Sequence, residues 1–220
     1  MTVSTDHVAA IVGAGRADVY WPLLVRALQA QGRDTRLNRV ALASNVITES
    51  RMAPVEEVGS DFSRYEPGTN VGRILGNTQP GDGARFKGRG FIQLTGRDNY
   101  GRIGRMIGVD LLSNPTLLVT DPYIGARASV AYLDSRGGFT AAQREDWGAV
   151  RRAVQPGSDP AGMQRFTQYV NALLASSAED AQAIASAPPP LLTPSGVNPK
   201  VIAALGSLLL GLLFFRSRGR

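Results

Sequence analysis

Apolar positions recur at helical spacing through most of the first 175 residues. Over residues 18–31, Val19, Leu23, Arg26 and Ala27 fall near one stripe with Leu24 and Leu28 beside it, the three- and four-residue spacing of an amphipathic helix. Gly32 is placed to stop it. Asp34 or Thr35 can cap a second helix from about residue 36 to 50, with Val40, Ala43, Ser44 and Ile47 in phase. From 51 to 85 the periodicity dissolves into Gly, Pro, Asn and Asp, most densely in GNTQPGDG at 76–83. This predicts a loop, and a loop of that length in a compact domain more often carries function than not. Residues 91–95 predict a short strand or extended turn. Helices are predicted again over 99–107, 122–135, about 140–154 and about 160–175.

The pattern changes after 175. Alanine and serine dominate, followed by Pro188, Pro189 and Pro190, so 176–199 reads as a linker stiffened at the prolines. The uncharged run VIAALGSLLLGLLFF at 201–215 follows, and then RSRGR. As a helix it would be about 22 Å long against a hydrocarbon core of roughly 30 Å. Residues 197–200 and snorkelling arginines can extend it. Three units are thus expected: a domain over 1–175, a linker over 176–199, and a C-terminal hydrophobic helix over 200–220. A buried core helix or a partner-docking helix is the alternative for that last unit. As a membrane anchor it would hold the protein at a membrane, with RSRGR on the cytoplasmic side and the domain outside. The N-terminal MTVSTDHVAAIVG has no basic start followed by a long apolar run, so no secretory signal is read there.

Composition narrows the chemistry. Of the 220 residues 43% are hydrophobic, enough for a packed core. There is no cysteine and one histidine, His7. Disulfides, thiolate metal sites, a cysteine nucleophile, a Ser-His-Asp triad and a multi-histidine metal site all drop out, and acid–base work falls to carboxylates. The net charge of +6 sits mostly in the tail, where Lys200, Arg216, Arg218 and Arg220 face no acid, leaving 20 basic and 18 acidic residues elsewhere. That distribution argues against nucleic-acid binding, which needs a basic patch on the folded domain. One local excess remains: 64–105 carries eight Arg and Lys against Glu66, Asp82 and Asp98, a solvated face or an attraction for an anionic polymer. The glycine-rich 76–90 segment lacks the Gly-Lys-Ser/Thr ending of a phosphate-binding loop. Tyr20 and Trp21 read as core aromatics. Glu49 closes the predicted 36–50 helix, where the negative end of the helix dipole disfavours its ionised form. Glu56, Glu57 and Glu66 follow in the loop.

The string KGRGFIQLTGRDNY at 87–100, together with TES at 48–50 and GNTQPGDGARF at 76–86, resembles the family 19 glycoside hydrolases, and within them the chitinase-like lysins of bacteriophages and bacteria. The likeness continues more weakly through NPTLLVTDP at 114–122 and WGAVRRAV at 147–154. It covers roughly residues 8–175. The resemblance implies a mainly α, lysozyme-like α+β fold, with two helical lobes around a glycan cleft and a long loop-rich insertion. It implies hydrolysis of a β-1,4-linked amino-sugar polymer with inversion, by an acid and a base across the scissile bond, with no cofactor and no metal.

Carried over by position, Glu49 takes the place of the general acid. Glu57 best matches the base, with Glu56 a close rival and Glu66 a weaker one. Thr95 stands where a hydroxyl helps hold the water. Gln93, Asn99 and Tyr100 fall among the positions expected to bind the sugar, and Arg89 is placed to brace the site. The chain departs from the family pattern at Thr48 (His), Asn45 (Gln), Arg51 and Met52 (glycines), and Gln155-Pro156-Gly157 (Asn-Gly-Gly). With the expected anchor, peptidoglycan glycan strands are the expected partner and a lysozyme-like endolysin activity the expected function. A chitinase is one alternative, and a non-catalytic glycan-binding or structural virion protein the other.

Overall fold

The computed structural model describes residues 2–59, 61–157 and 159–188. Within them the chain is mainly helical with one two-stranded antiparallel ribbon, the expected lysozyme-like α+β composition. The helices α1 (Thr5–Val12) and α2 (Ala14–Ala30) pack together at the N-terminus. α3 (Arg36–Ser50) is the axis of the core. Thr35 caps it by accepting from Asn38 N, and its residues 40–47 are all buried. They are covered by α8 (Pro122–Ser135), α9 (Gly138–Ala142), α10 (Trp147–Val154) and α11 (Pro160–Leu174). A helix wrapped on every side has no face for free polar groups. Its polar members bond back to their own backbone: Ser44 Oγ donates to Val40 O (2.7 Å) and Asn45 Nδ2 to Ala41 O (3.0 Å).

α3 ends in a left-handed turn at the two positions where the family pattern has glycine. Arg51 has φ 51° and Met52 has φ 64°. Arg51 N donates to Ile47 O (3.0 Å) and Met52 N to Val46 O (3.3 Å), which satisfies the last carbonyls of the helix. This conformation costs a non-glycine residue about 1–2 kcal/mol. Two contacts hold it: the Met52 side chain is fully buried, and Arg16 Nη1 donates to Arg51 O (2.9 Å). Because the Arg51 side chain is exposed, Arg51→Gly is expected to raise the thermal midpoint by about 2 °C. Met52→Gly relieves the same backbone but empties a core position, and is expected to lower stability by about 2–4 kcal/mol. Calorimetry of the two variants checks the opposite signs.

The segment predicted as loop is pinned at many points. β1 (Val55–Glu56) pairs antiparallel with β2 (Arg89–Gly90), Val55 opposite Gly90 and Glu56 opposite Arg89. Between them lie a 3-10 turn (Ser63–Tyr65), α4 (Asn70–Ile74) and α5 (Asp82–Arg85). Two carboxylates close the glycine-rich run. Glu66 accepts from Gly81 N (2.8 Å) and Gly83 N (3.0 Å). Buried Asp82 accepts from Thr78 N (2.8 Å), Gln79 N (2.9 Å) and Arg97 Nη2 (2.6 Å). The Arg97 hydrogen bond, ahead of the backbone donors, brings the Asp82 pKa down to about 2. Residues 91–95 form a turn rather than a strand, because Arg89 and Leu94 exchange backbone hydrogen bonds (3.1 and 2.9 Å) around Gln93 at φ 55°.

The structure differs from the sequence expectation elsewhere too. The single helix predicted over 140–154 is broken: Glu145 is left-handed (φ 54°) and Asp146 Oδ1 starts α10 afresh by accepting from Ala149 N (2.8 Å). The predicted linker begins with a helix, α12 (Ala178–Ser186). Ser177 caps it, Glu179 and Asp180 occupy its first turn, and alanine favours the helical backbone. Ala181 is buried, and Gln168 Nε2 donates to Ile184 O (2.8 Å) and Ala187 O (2.7 Å), so the folded unit runs past 175. α6 (Arg97–Ile107) and α7 (Leu117–Thr120) complete the domain. The rest of the predicted linker, 189–199, and the apolar run 201–215 lie outside the described residues.

Candidate active site

A cleft of about 310 Å³ opens between the helical body and the β1–β2 segment. Glu49 reaches it from the last turn of α3, Glu57 from the residue after β1, Gln93 and Thr95 from the turn after β2, and Asn99 from α6. Gln155 and Pro156, just past α10, also line it.

Glu49 is gripped by a residue outside the set predicted from the sequence. Arg151 Nη1 donates to Glu49 Oε1 (2.5 Å) and to Asn45 Oδ1 (3.3 Å), and Arg151 Nη2 lies 4.0 Å from Asp159 Oδ2. The Arg151 side chain is 5% exposed and that of Glu49 13%. The dipole of α3 is thus only part of the field at Glu49, because a buried guanidinium faces the same carboxylate. A signal was available, since Arg151 falls in the apolar stripe of its helix with Val150 and Val154. An arginine there needs a buried partner.

Glu57 is also held. Its Oε2 accepts from Gly88 N (3.1 Å), and its Oε1 accepts from Tyr65 OH (3.1 Å) and Arg64 Nη2 (3.2 Å). Burial first, and then the Glu57 charge, push the Tyr65 phenol up, so it stays a donor at neutral pH. Gly88 sits beneath the group. A Cβ there would meet Gln93 Oε1 at 2.9 Å, Glu57 Oε2 at 3.3 Å and Thr95 Oγ1 at 3.4 Å, so three oxygens converge over a residue that has no side chain. Gln93 is fixed by donating Nε2 to Val55 O (3.0 Å) and Gly90 O (3.1 Å), Thr95 by donating Oγ1 to Gln93 O (2.9 Å), and Asn99 by donating Nδ2 to Thr95 O (2.8 Å).

Four expected site residues stand elsewhere. Neighbouring residues of an extended segment point to opposite sides, and Glu56 turns away from Glu57 to meet Lys87 Nζ (2.6 Å) and Arg89 Nη2 (3.2 Å). The Lys87 hydrogen bond above all, with Arg89 behind it, holds the Glu56 carboxyl below its ordinary value, and Glu56 does not line the cleft. Glu66 is occupied with closing the glycine loop. Arg89 is buried behind the cleft wall, donating to Arg85 O (2.6 Å) and Tyr100 OH (3.3 Å). Tyr100 is fully buried, and its OH donates to Lys87 O (2.7 Å). Arg89 and Tyr100 therefore brace the wall from behind. Among the described residues no cluster of three or more His, Asp or Glu side chains is arranged to hold a metal.

Residues 65–139 match the family 19 glycoside hydrolase model described as chitinase class I. This stretch, 75 of the 220 residues, is similar to the family 19 glycoside hydrolases. Endochitinase 1 of Theobroma cacao is 55% identical over 70 residues, which are 32% of this chain and 19% of that protein. Endochitinase 4 of Solanum tuberosum is 50% identical over 48 residues, 22% of this chain and 16% of that one. The matched stretch thus spans less than a fifth of these curated relatives. Chitinase C from Streptomyces griseus HUT6037 shares the fold at a TM-score of 0.59 and 22% identity, over 77% of this chain and 92% of that structure. A bacterial family 19 chitinase does so at 0.57 and 19%, over 86% and 97%.

These family 19 relatives are chitinases, and the phage-lysin part of the resemblance gains no support from them. The expected membrane-anchored placement is also corrected. Among the described residues no helix is long and apolar enough to cross a membrane, and the matches are to proteins named as chitinases. The run that suggested an anchor lies outside the described residues.

Proposed function

We propose that the domain hydrolyses β-1,4-linked polymers of N-acetylated amino sugars, with chitin as the parent substrate, by an inverting two-carboxylate mechanism. The observation that carries this reading is that Glu49 and Glu57, from separate elements, line one cleft, each held by its own arginine. In the bound complex the protonated form of Glu49 gives its proton to the bridging oxygen, and Arg151, its ion-pair partner whenever Glu49 is ionised, stabilises the carboxylate that this leaves. Positive charge grows on the sugar as the bond stretches. Glu57 takes a proton from water on the opposite face, with its oxygens aimed by Gly88 N, Tyr65 OH and Arg64. The Thr95 hydroxyl, whose proton is committed to Gln93 O, accepts a hydrogen bond from that water. Gln93 and Asn99 orient the sugar. The names of the relatives favour chitin over the peptidoglycan first expected.

Gly88→Ala is expected to lower kcat about 10- to 100-fold with little loss of stability, because the new methyl displaces the Gln93 amide and presses on Glu57 and Thr95. Steady-state rates beside a melting curve check it. The reading as a whole is tested by mass analysis of products from N-acetylglucosamine hexamer, colloidal chitin and purified wall sacculi. Release of chitin oligomers is expected. Release of muropeptides alone would move the substrate to peptidoglycan. No cleavage of any of the three would leave the non-catalytic glycan-binding reading.

A further inference from the structure

The charges lining the cleft do not cancel locally. Glu49 is matched by Arg151 and Glu57 by Arg64. The remaining charged residue on the wall is Arg136, at the C-terminal end of α8, which is exposed and has no carboxylate partner among the described residues. Its guanidinium lies 5.6 Å from the centre of the Tyr132 ring, and Tyr132 lines the cleft. Arg102 approaches the same ring at 5.7 Å and fixes the neighbouring wall, donating to Asn99 Oδ1 (3.1 Å) and Ser135 Oγ (2.7 Å). The nearby acid Asp134 is taken by Arg33 (3.0 Å). A helix C-terminus accounts for a cation at Arg136. It does not account for two guanidiniums flanking one cleft-facing ring beside the sugar-binding Asn99.

Resting on the hydrolase reading, we propose that Arg136, with Arg102 behind it, is a specificity-determining site for a carboxylate carried by the sugar chain. The enzyme then prefers an acid-substituted β-1,4 amino-sugar strand to the neutral polymer of the same backbone. A guanidinium offers a carboxylate two parallel N–H donors, and the ring keeps Arg136 from wandering. The site selects among substrates and takes no part in bond cleavage.

The test compares carboxymethyl chitin with glycol chitin, soluble polymers with and without the acid. The readout is the ratio of their kcat/KM values, which an overall loss of folded enzyme does not change. Wild type is expected to favour carboxymethyl chitin, and that preference to shrink as salt rises. Arg136→Ala is expected to lower the ratio about fivefold and Arg136→Lys by less. A ratio indifferent to salt and to both substitutions overturns this proposal while leaving the hydrolase reading intact. Wild-type enzyme that cleaves neither polymer overturns both.

Discussion

Glu49→Gln is expected to lower kcat on chitin oligomers by about 10³-fold or more while the domain stays folded and still binds sugar. The amide keeps the shape of the carboxyl and can still accept from Arg151 Nη1, so the end of α3 keeps its contact. It cannot deliver an acidic proton to the leaving oxygen, and general acid catalysis alone is worth roughly 10²–10⁴. The loss should appear in kcat with KM nearly unchanged, because the contact removed matters in the transition state and not in the bound substrate. A variant that retained more than about a tenth of wild-type turnover would remove Glu49 from the mechanism. Steady-state kinetics and oligosaccharide binding, measured on the same preparation, separate these outcomes.

The second large effect concerns Arg151, which supports both the fold and the acid. Arg151→Met keeps the length and apolar stem but takes the cation from a pair whose partners are 5% and 13% exposed. Removing one member of such a pair leaves the other charge buried without compensation, which typically costs about 3–5 kcal/mol. For a domain of this size that corresponds to a fall in thermal midpoint of roughly 10 °C. Asn45 loses its donor to Oδ1 as well. The Glu49→Gln/Arg151→Met double variant should regain part of the lost stability, since the stranded charge is gone. Urea titration of the four proteins measures that coupling, and strict additivity would mean that the two side chains do not support each other.

The long helices were legible because their apolar spacing persists over several turns. α8 has the predicted bounds, and α3 runs from Arg36 to Ser50 as expected. Several of the elements absent from the sequence pattern are too short for periodicity to register: α4 and α5 span five and four residues, and β1 and β2 two each, while α1 and α12 span eight and nine. The same shortness blocked the choice between Glu56 and Glu57. A two-residue strand carries no alternating pattern, and it takes the structure to place Glu57 in the cleft and Glu56 against Lys87 and Arg89. The string at 87–100 carries the resemblance to family 19, yet resemblance alone does not distinguish residues that line the cleft from residues that hold those in place. Gln93, Thr95 and Asn99 line the cleft, while Arg89 and Tyr100 in the same string stand behind it. The departures from the family pattern at Arg51 and Met52 proved structural: both residues adopt the left-handed backbone that glycine would adopt freely. The apolar stripe of α10 marks Arg151 as a buried cation, but its partner lies 102 positions earlier in the chain, a distance no local pattern spans.

On the proposed mechanism Glu57 activates a water on the face of the sugar opposite Glu49, so that bond cleavage inverts the anomeric carbon. Proton NMR of N-acetylglucosamine hexamer during the first minutes of digestion reads this directly, before mutarotation mixes the anomers. The α anomer is expected at each newly formed reducing end from the earliest spectra. Accumulation of the β anomer first would mean retention, and would contradict Glu49 as the acid and Glu57 as the base of an inverting pair.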